Sequence, residues 1–200
     1  YSSAASDVYK RQVLEDSGHR VFTYQNTYFD TPDWDLYIQH HNGKLNRCKY
    51  RHRRYLETEL EFLEIKVKTN KGRTRKQRIP WRCHQPIEVP DVDFKLVPKL
   101  YVNYRRITLW DRETEERLTL DFDILFQRFE TETKVGIPNV LIAEYKRADH
   151  VKSSRFIQQM KAIRYYPKSI SKYCVGVCLT DDGNLKCNRF KGLISELTKY

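Results

Sequence analysis

No run of apolar residues in this 200-residue chain approaches the roughly 18–20 that a membrane-spanning helix needs. The longest, around Val140–Ala143 and Cys174–Leu179, have the length of a strand. There is no Cys-x-x-Cys pair, and no histidine stands at zinc-finger spacing from the cysteines. The five cysteines are an odd number, so they read as thiols at core positions in a reducing compartment rather than as a disulfide framework. No internal repeat, low-complexity tract or dividing linker is visible. These absences exclude a helical membrane protein, a secreted disulfide scaffold and a coiled coil. Positive charge is what the chain has in excess. Lys and Arg number 37 against 26 acidic residues, a formal charge of +11. That balance directs attention to polyanions: nucleic acid, an anionic membrane surface, or phosphates. With 40% hydrophobic and 13% aromatic residues the chain can build a core, and its length suits one domain or at most two small ones.

The first twelve residues, Tyr1–Gln12, read YSSAASDVYKRQ and share no hydrophobic period with the residues after Gln12. The segment resembles a translated sequencing-adapter remnant. Residues 1–12 are therefore expected to be non-native, and residues 13–200 to form a single domain.

Most of that domain reads as strands. His19–Asn26 and Tyr28–Asp30 are rich in β-formers and end at Thr31-Pro32-Asp33. Asp33 is expected to cap a short helix through Trp34, Tyr37 and Ile38 to Asn42-Gly43. Strands follow at Leu45–Tyr55, Leu60–Lys68 and Arg73–Trp81, the last two joined by an Asn70-Lys71-Gly72 turn. Pro80, Pro86 and Pro90 mark an irregular connection. Val102–Asp111 and Glu116–Phe126 make a second hairpin, and Val140–Arg147 a further strand. Helices are expected over Ser153–Tyr166, where Phe156, Met160 and Ile163 share a face, and over Asn188–Tyr200.

Alternate residues of a strand face opposite ways, so charge parity is informative. Arg47, Lys49, Arg51 and Arg53 share one face. Glu64, Lys66 and Lys68 lie opposite Leu63, Ile65 and Val67. Lys76 and Arg78 share a face, and Arg106 lies opposite Ile107 and Leu109. Arg117, Asp121 and Asp123 lie opposite Leu118, Leu120, Phe122 and Ile124, and Glu144 and Lys146 opposite Leu141, Ala143 and Tyr145. An ordinary sheet with one wet face would explain the alternation alone. Cations dominating strand after strand would repel one another on such a surface, and arginine suits bidentate phosphate contacts. A closed barrel lined by cations, with a few carboxylates placed to bring a divalent metal to a phosphate chain, accounts for both.

These residues resemble the VTC (vacuolar transporter chaperone) catalytic domain of polyphosphate polymerases, a branch of the triphosphate tunnel metalloenzymes related to the CYTH enzymes. The resemblance runs from about Tyr24 to Leu179. It rests on Tyr28-Phe29-Asp30-Thr31, on His41-Asn42-Gly43-Lys44-Leu45-Asn46-Arg47 leading into Lys49-x-Arg51-x-Arg53, and on Phe62-Leu63-Glu64-Ile65-Lys66-x-Lys68. Asn70-Lys71-Gly72-Arg73-Thr74, Arg106-Ile107-Thr108-Leu109, Arg117-Leu118-Thr119-Leu120-Asp121, Glu144-Tyr145-Lys146 and Ser171-Lys172-Tyr173-Cys174-x-Gly176 complete it.

The resemblance implies an α+β, mainly β fold: an antiparallel β-barrel around a basic tunnel with peripheral helices, here expected to lack its first strand. It implies transfer of the ATP γ-phosphoryl group to a growing polyphosphate chain with Mn2+ or Mg2+, in a cytoplasmic bacterial protein whose partners are ATP and inorganic polyphosphate. Arg51, Arg53, Lys66, Arg106 and Arg117 match catalytic phosphate-gripping cations. Lys172 and Ser171 match substrate contacts, and Glu144 matches the metal-binding glutamate. Lys49, Lys68 and Lys146 join the substrate-binding set by parity. Removing Arg51 or Arg53 is expected to weaken phosphate binding at little cost in stability. The chain departs from the family at Ser169, where some members carry a lysine; Lys168 is one step away. His40, His41 and His52 read as structural, and many of the tyrosines as strand or hairpin core rather than as a base-stacking platform for nucleic acid. Hydrolysis of tripolyphosphate or an RNA 5′-triphosphate, and polyphosphate binding without catalysis, remain open as alternatives.

Overall fold

The computed structural model describes residues 12–71, 73–81, 94–147 and 154–199. Residues 1–11, the Gly72 position of the first hairpin turn, Pro86 and Pro90 of the irregular connection and Ser153 lie outside them. Nine strands of the described residues form one antiparallel sheet: β1 (Gln12–Val13), β2 (Val21–Asp30), β3 (Arg47–Tyr55), β4 (Glu61–Lys68), β5 (Thr74–Pro80), β6 (Val97–Asp111), β7 (Glu116–Arg128), β8 (Lys134–Ile137) and β9 (Ile142–Lys146). The order is β5-β4-β3-β2-β6-β7-β8, with β1 paired to β6 and β9 to β7. The mainly β, antiparallel architecture with peripheral helices is as expected. The sheet is not closed among the described residues; its pairing ends at β5 on one side and at β8 and β9 on the other.

Four helices accompany the sheet among the described residues: α1 (Asp35–His41), α2 (Arg155–Ala162), α3 (Lys172–Leu179) and α4 (Lys191–Leu197), the last preceded by a 3-10 turn at Asn188–Phe190. Helix α1 is not capped by Asp33. Trp34 holds the cap position in the left-handed region at φ 65°, and the capping carboxylate is that of Asp30 at the end of β2. It accepts from the backbone N–H groups of Thr31, Leu36 and Tyr37 at 2.7–2.8 Å. Orphan N–H donors at a helix start are thereby satisfied from a neighbouring strand. Lys99 and Arg128 lie 4.5 and 4.6 Å from the Trp34 ring and hold this corner in place.

Helix α3 is the element that strand-length reading of Cys174–Leu179 misses. Its residues Tyr173–Val177 are all buried, so it carries no amphipathic period to announce it. It lies directly on β6 and β7: a Cβ at Gly176 would come within 2.4 Å of Phe126 and 2.7 Å of Leu100. Tyr28, Leu100, Val102, Phe126, Tyr173, Val175 and Val177 form the main core between helix and sheet. Tyr37 ties α1 to this layer, its hydroxyl donating to the Lys186 carbonyl beside the thiols of Cys178 and Cys187. The opposite face of β2–β4 packs a smaller cluster of Phe29, Tyr50 and Ile65 with Leu36. Cys48, Cys174, Cys178 and Cys187 are free thiols.

Candidate functional site

Residues directly opposite one another in an antiparallel ladder point to the same face. The register pairs Arg53 with Asn26 and Arg51 with Tyr28. It also pairs Arg51 with Glu64, Lys49 with Lys66 and Arg47 with Lys68, and continues to Arg78 opposite Glu64 and Lys76 opposite Lys66. On the other side of β2, Tyr24 faces Tyr104 and Phe22 faces Arg106. Arg106 then faces Asp121 and Trp110 faces Arg117, while Glu144 lies opposite Thr119 and Lys146 opposite Arg117. One face of the sheet therefore carries Lys49, Arg51, Arg53, Lys66, Lys68, Arg106, Arg117, Glu144 and Lys146, as parity reading expects. Helix α3 lies on that same face and contributes the rest: Ser171 accepts from Lys49 Nζ at 2.7 Å, and Lys172 Nζ donates to Asp121 at 2.5 Å.

Asp123 is the exception to the parity scheme. It sits at φ 52° where the β6–β7 register shifts, and such a bulge resets the alternation. Asp123 is thereby exposed beside Arg105, and Ile124, Phe126 and Arg128 turn inward instead. Lys168, the neighbour of the departing Ser169, is paired with Glu196 at the surface.

Among the described residues three carboxylates lie beside these cations, and they divide the face into environments. Glu64, only 2% exposed, has Arg51 at 2.5 Å, Lys76 at 2.6 Å, Arg78 at 2.8 Å and Arg53 at 3.8 Å. Burial pushes the Glu64 carboxyl up, but Arg51, Arg53 and the hydrogen bonds from Lys76 and Arg78 prevail and hold it far below the ordinary range. Asp121, fully buried, receives Arg106 at 2.5 and 2.8 Å in the bidentate form as well as Lys172. Burial opposes its ionisation too, and again the paired cations win. Glu144 is half exposed and pairs with Lys146 at 2.9 Å. Burial raises it, while the Lys146 hydrogen bond and the charges of Lys146, Arg106 and Lys172 pull it below the usual carboxylate range.

Aromatic rings support the cations from below. Arg53 donates to Asn26 Oδ1 and the Tyr104 hydroxyl, both at 2.9 Å, and lies over the Tyr24 and Tyr55 rings. Arg51 donates to the Tyr28 hydroxyl at 3.1 Å. Tyr28 stacks on Tyr173 of α3, and Tyr24 on Tyr104. Burial alone would raise the Tyr28 phenol, yet Arg51 and Lys49 bring it below its ordinary value. Tyr24, Tyr28, Tyr104 and Tyr173 are buried core residues, and Tyr55 packs partly buried against them. The histidines also have structural partners: His40 accepts from Arg47, His41 meets Asn188 and His52 meets Glu61.

Arg53 is integrated more deeply than a freely removable gripping residue. Its side chain is 6% exposed and is held by Asn26 and Tyr104. Arg53→Ala should therefore cost about 2 kcal/mol or more of unfolding free energy. Lys66→Ala, at an exposed position with no ion pair or hydrogen bond among the described residues, should stay within about 0.5 kcal/mol. Urea unfolding of both variants checks the contrast.

Lys49, Lys66, Lys68 and Arg47 make like-charged cross-strand pairs that no carboxylate of the described residues separates. Lys49 is the most constrained of these; burial pushes its ammonium down, and it donates to the neutral Ser171 hydroxyl. Such pairs oppose folding unless an anion sits between them.

No group of three His, Cys, Asp or Glu side chains converges among the described residues. A metal at Glu144 would have one protein carboxylate. That donor is a hard oxygen anion, and its chemistry would suit a Mg2+- or Mn2+-type ion that needs few protein ligands rather than one held in an all-protein cage. A surface pocket of about 620 Å³ lined by His41, Cys178, Leu185 and Lys191 lies apart from this cation face. No helix among the described residues is long and apolar enough to cross a membrane.

The residues sequence reasoning left out are Glu64, Asp121, Lys76 and Arg78 as members of the cluster, and Tyr28 and Tyr104 as its support. The signal was present for Glu64 and Asp121: each stands on the cation side of its own strand.

A family model described as VTC domain matches the chain over residues 3–89 and 84–180. No curated protein matches it.

Proposed function

The chain belongs to the VTC domain family, and from that membership we propose that it transfers the γ-phosphoryl group of ATP to the end of a polyphosphate chain laid along the cation face. The observation that carries the proposal is the row of unseparated like charges, Lys49 opposite Lys66 and Arg47 opposite Lys68. A polyanion is the ligand whose charge would relieve it. Phosphoryl transfer asks the protein for in-line positioning and charge neutralisation rather than for a covalent nucleophile. In this reading Arg51, Arg53, Lys66, Arg106 and Arg117 orient the nucleotide phosphates and offset charge on the transferring group. Lys49, Lys68, Lys146, Ser171 and Lys172 hold the chain. Glu144 would hold Mn2+ or Mg2+, which when bound supplies charge neutralisation across phosphate oxygens.

Tripolyphosphate should raise the melting temperature well above that in a chloride solution of equal ionic strength. A ligand that binds only the folded state adds about 2.7 kcal/mol at 100 times its dissociation constant. Equal melting temperatures in the two solutions would refute the reading. With ATP supplied, product analysis then separates chain extension from release of orthophosphate, the outcome that would assign a triphosphatase instead. Saturable binding with neither product would assign a binding module.

A further inference from the structure

Glu64 is the most heavily contacted carboxylate on the cation face, and the phosphate-gripping roles above leave it without a task. Its two oxygens divide the work. Oε2 faces Arg51 at 2.5 Å and Arg53 at 3.8 Å, and Oε1 faces Lys76 at 2.6 Å and Arg78 at 2.8 Å. The carboxylate is buried, whereas the Lys76 and Arg78 side chains are about two-fifths exposed, so an anion in solvent reaches the same cations from the other side. We infer that Glu64 is an internal counter-anion: it holds in the free protein the cations that a polyphosphate would otherwise take, and thereby limits affinity on the β3–β5 side of the face. This rests on the polyphosphate reading and adds to it the residue that restrains the grip.

Two lysines provide a matched comparison. Lys66 and Lys76 lie directly opposite each other in the β4–β5 ladder. Lys76 has the Glu64 oxygen at 2.6 Å; Lys66 has no ion pair or hydrogen bond among the described residues. A cation already facing a carboxylate gains less from a second anion than a bare one does. Glu64 as a simple scaffold gives the contrary expectation, because loosening the arginines would weaken binding.

The test is calorimetric titration of the full chain with tripolyphosphate at fixed ionic strength. Wild type is compared with Glu64→Gln, Lys66→Gln and Lys76→Gln. Glu64→Gln should bind roughly tenfold tighter, a gain that a structural role does not produce. Lys66→Gln should lose roughly tenfold and Lys76→Gln less than about threefold. Wild type that binds while Glu64→Gln binds no tighter overturns the inference and leaves the polyphosphate reading standing. So does an equal loss from Lys76→Gln and Lys66→Gln, a comparison that remains decisive where Glu64→Gln does not fold. Wild type that binds no tripolyphosphate overturns both.

Discussion

Asp121→Asn should destabilise the protein by about 3–5 kcal/mol, the usual cost of removing one partner from a buried ion cluster. The carboxylate is fully buried, while Arg106 and Lys172, which it pairs, are only 12% and 13% exposed. Asparagine keeps the shape but turns an N–H2 donor toward a cation and leaves two charges facing each other. Because Lys172 opens α3, the loss should also loosen that helix from β6 and β7. Urea unfolding of wild type and variant measures the difference; a change under about 1 kcal/mol would mean that solvent already screens the cluster.

The pH dependence arises from the same groups. Asp121 and Glu64 are held below their unfolded values, so their stabilisation is full above about pH 5 and is lost as pH falls through their folded values. Asp30 works the other way. Burial raises it despite the Tyr173 and backbone hydrogen bonds, so its contribution is present at low pH and lost as pH rises through its folded value. The depressed groups, with the half-exposed Glu144 a third and weaker one, outnumber it. Wild-type stability should fall steeply only below about pH 4, and the acid limb of Asp121→Asn should be shallower.

The cation face was legible because strand parity needs only local alternation. Arg51, Arg53, Lys66, Arg106 and Arg117 all fall on one face once neighbouring strands are in register. What parity does not carry is register itself. The convergence of Arg51, Lys76 and Arg78 on Glu64 depends on which residues of β3 and β5 lie opposite one in β4, and the connecting turns decide that. Asp123 failed for a related reason, since a left-handed residue inserted in β7 shifts every later side chain by one. Helix α3 failed because a helix buried on all sides looks like any short apolar run. Asp30 reads in the sequence as a strand end within a family motif; its capping work appears when α1 folds back over it.

On the polymerase reading proposed above, Glu144→Gln should remove several kcal/mol of transition-state stabilisation from polymer formation while leaving tripolyphosphate affinity unchanged or higher. Position is what distinguishes this residue. Glu144 is the half-exposed carboxylate among three on the face, paired through one oxygen to Lys146 at 2.9 Å. Glu64 and Asp121, by contrast, are buried under cations, leaving them little room for a further ligand. A hard divalent ion that takes most of its shell from phosphate needs one or two accessible carboxylate oxygens. The competing role is a salt bridge that tempers repulsion around Lys146, Arg106 and Lys172. That role predicts a small loss of stability, within about 0.5 kcal/mol at so exposed a site, and no effect on turnover. Three measurements separate the roles: polymer formed from ATP with Mn2+, tripolyphosphate affinity without metal, and the melting-temperature shift that Mn2+ adds in the presence of tripolyphosphate. Loss of turnover and of the Mn2+-dependent shift, with metal-free affinity kept, assigns Glu144 to the metal. Near wild-type turnover together with an intact Mn2+ shift leaves it a salt-bridge residue.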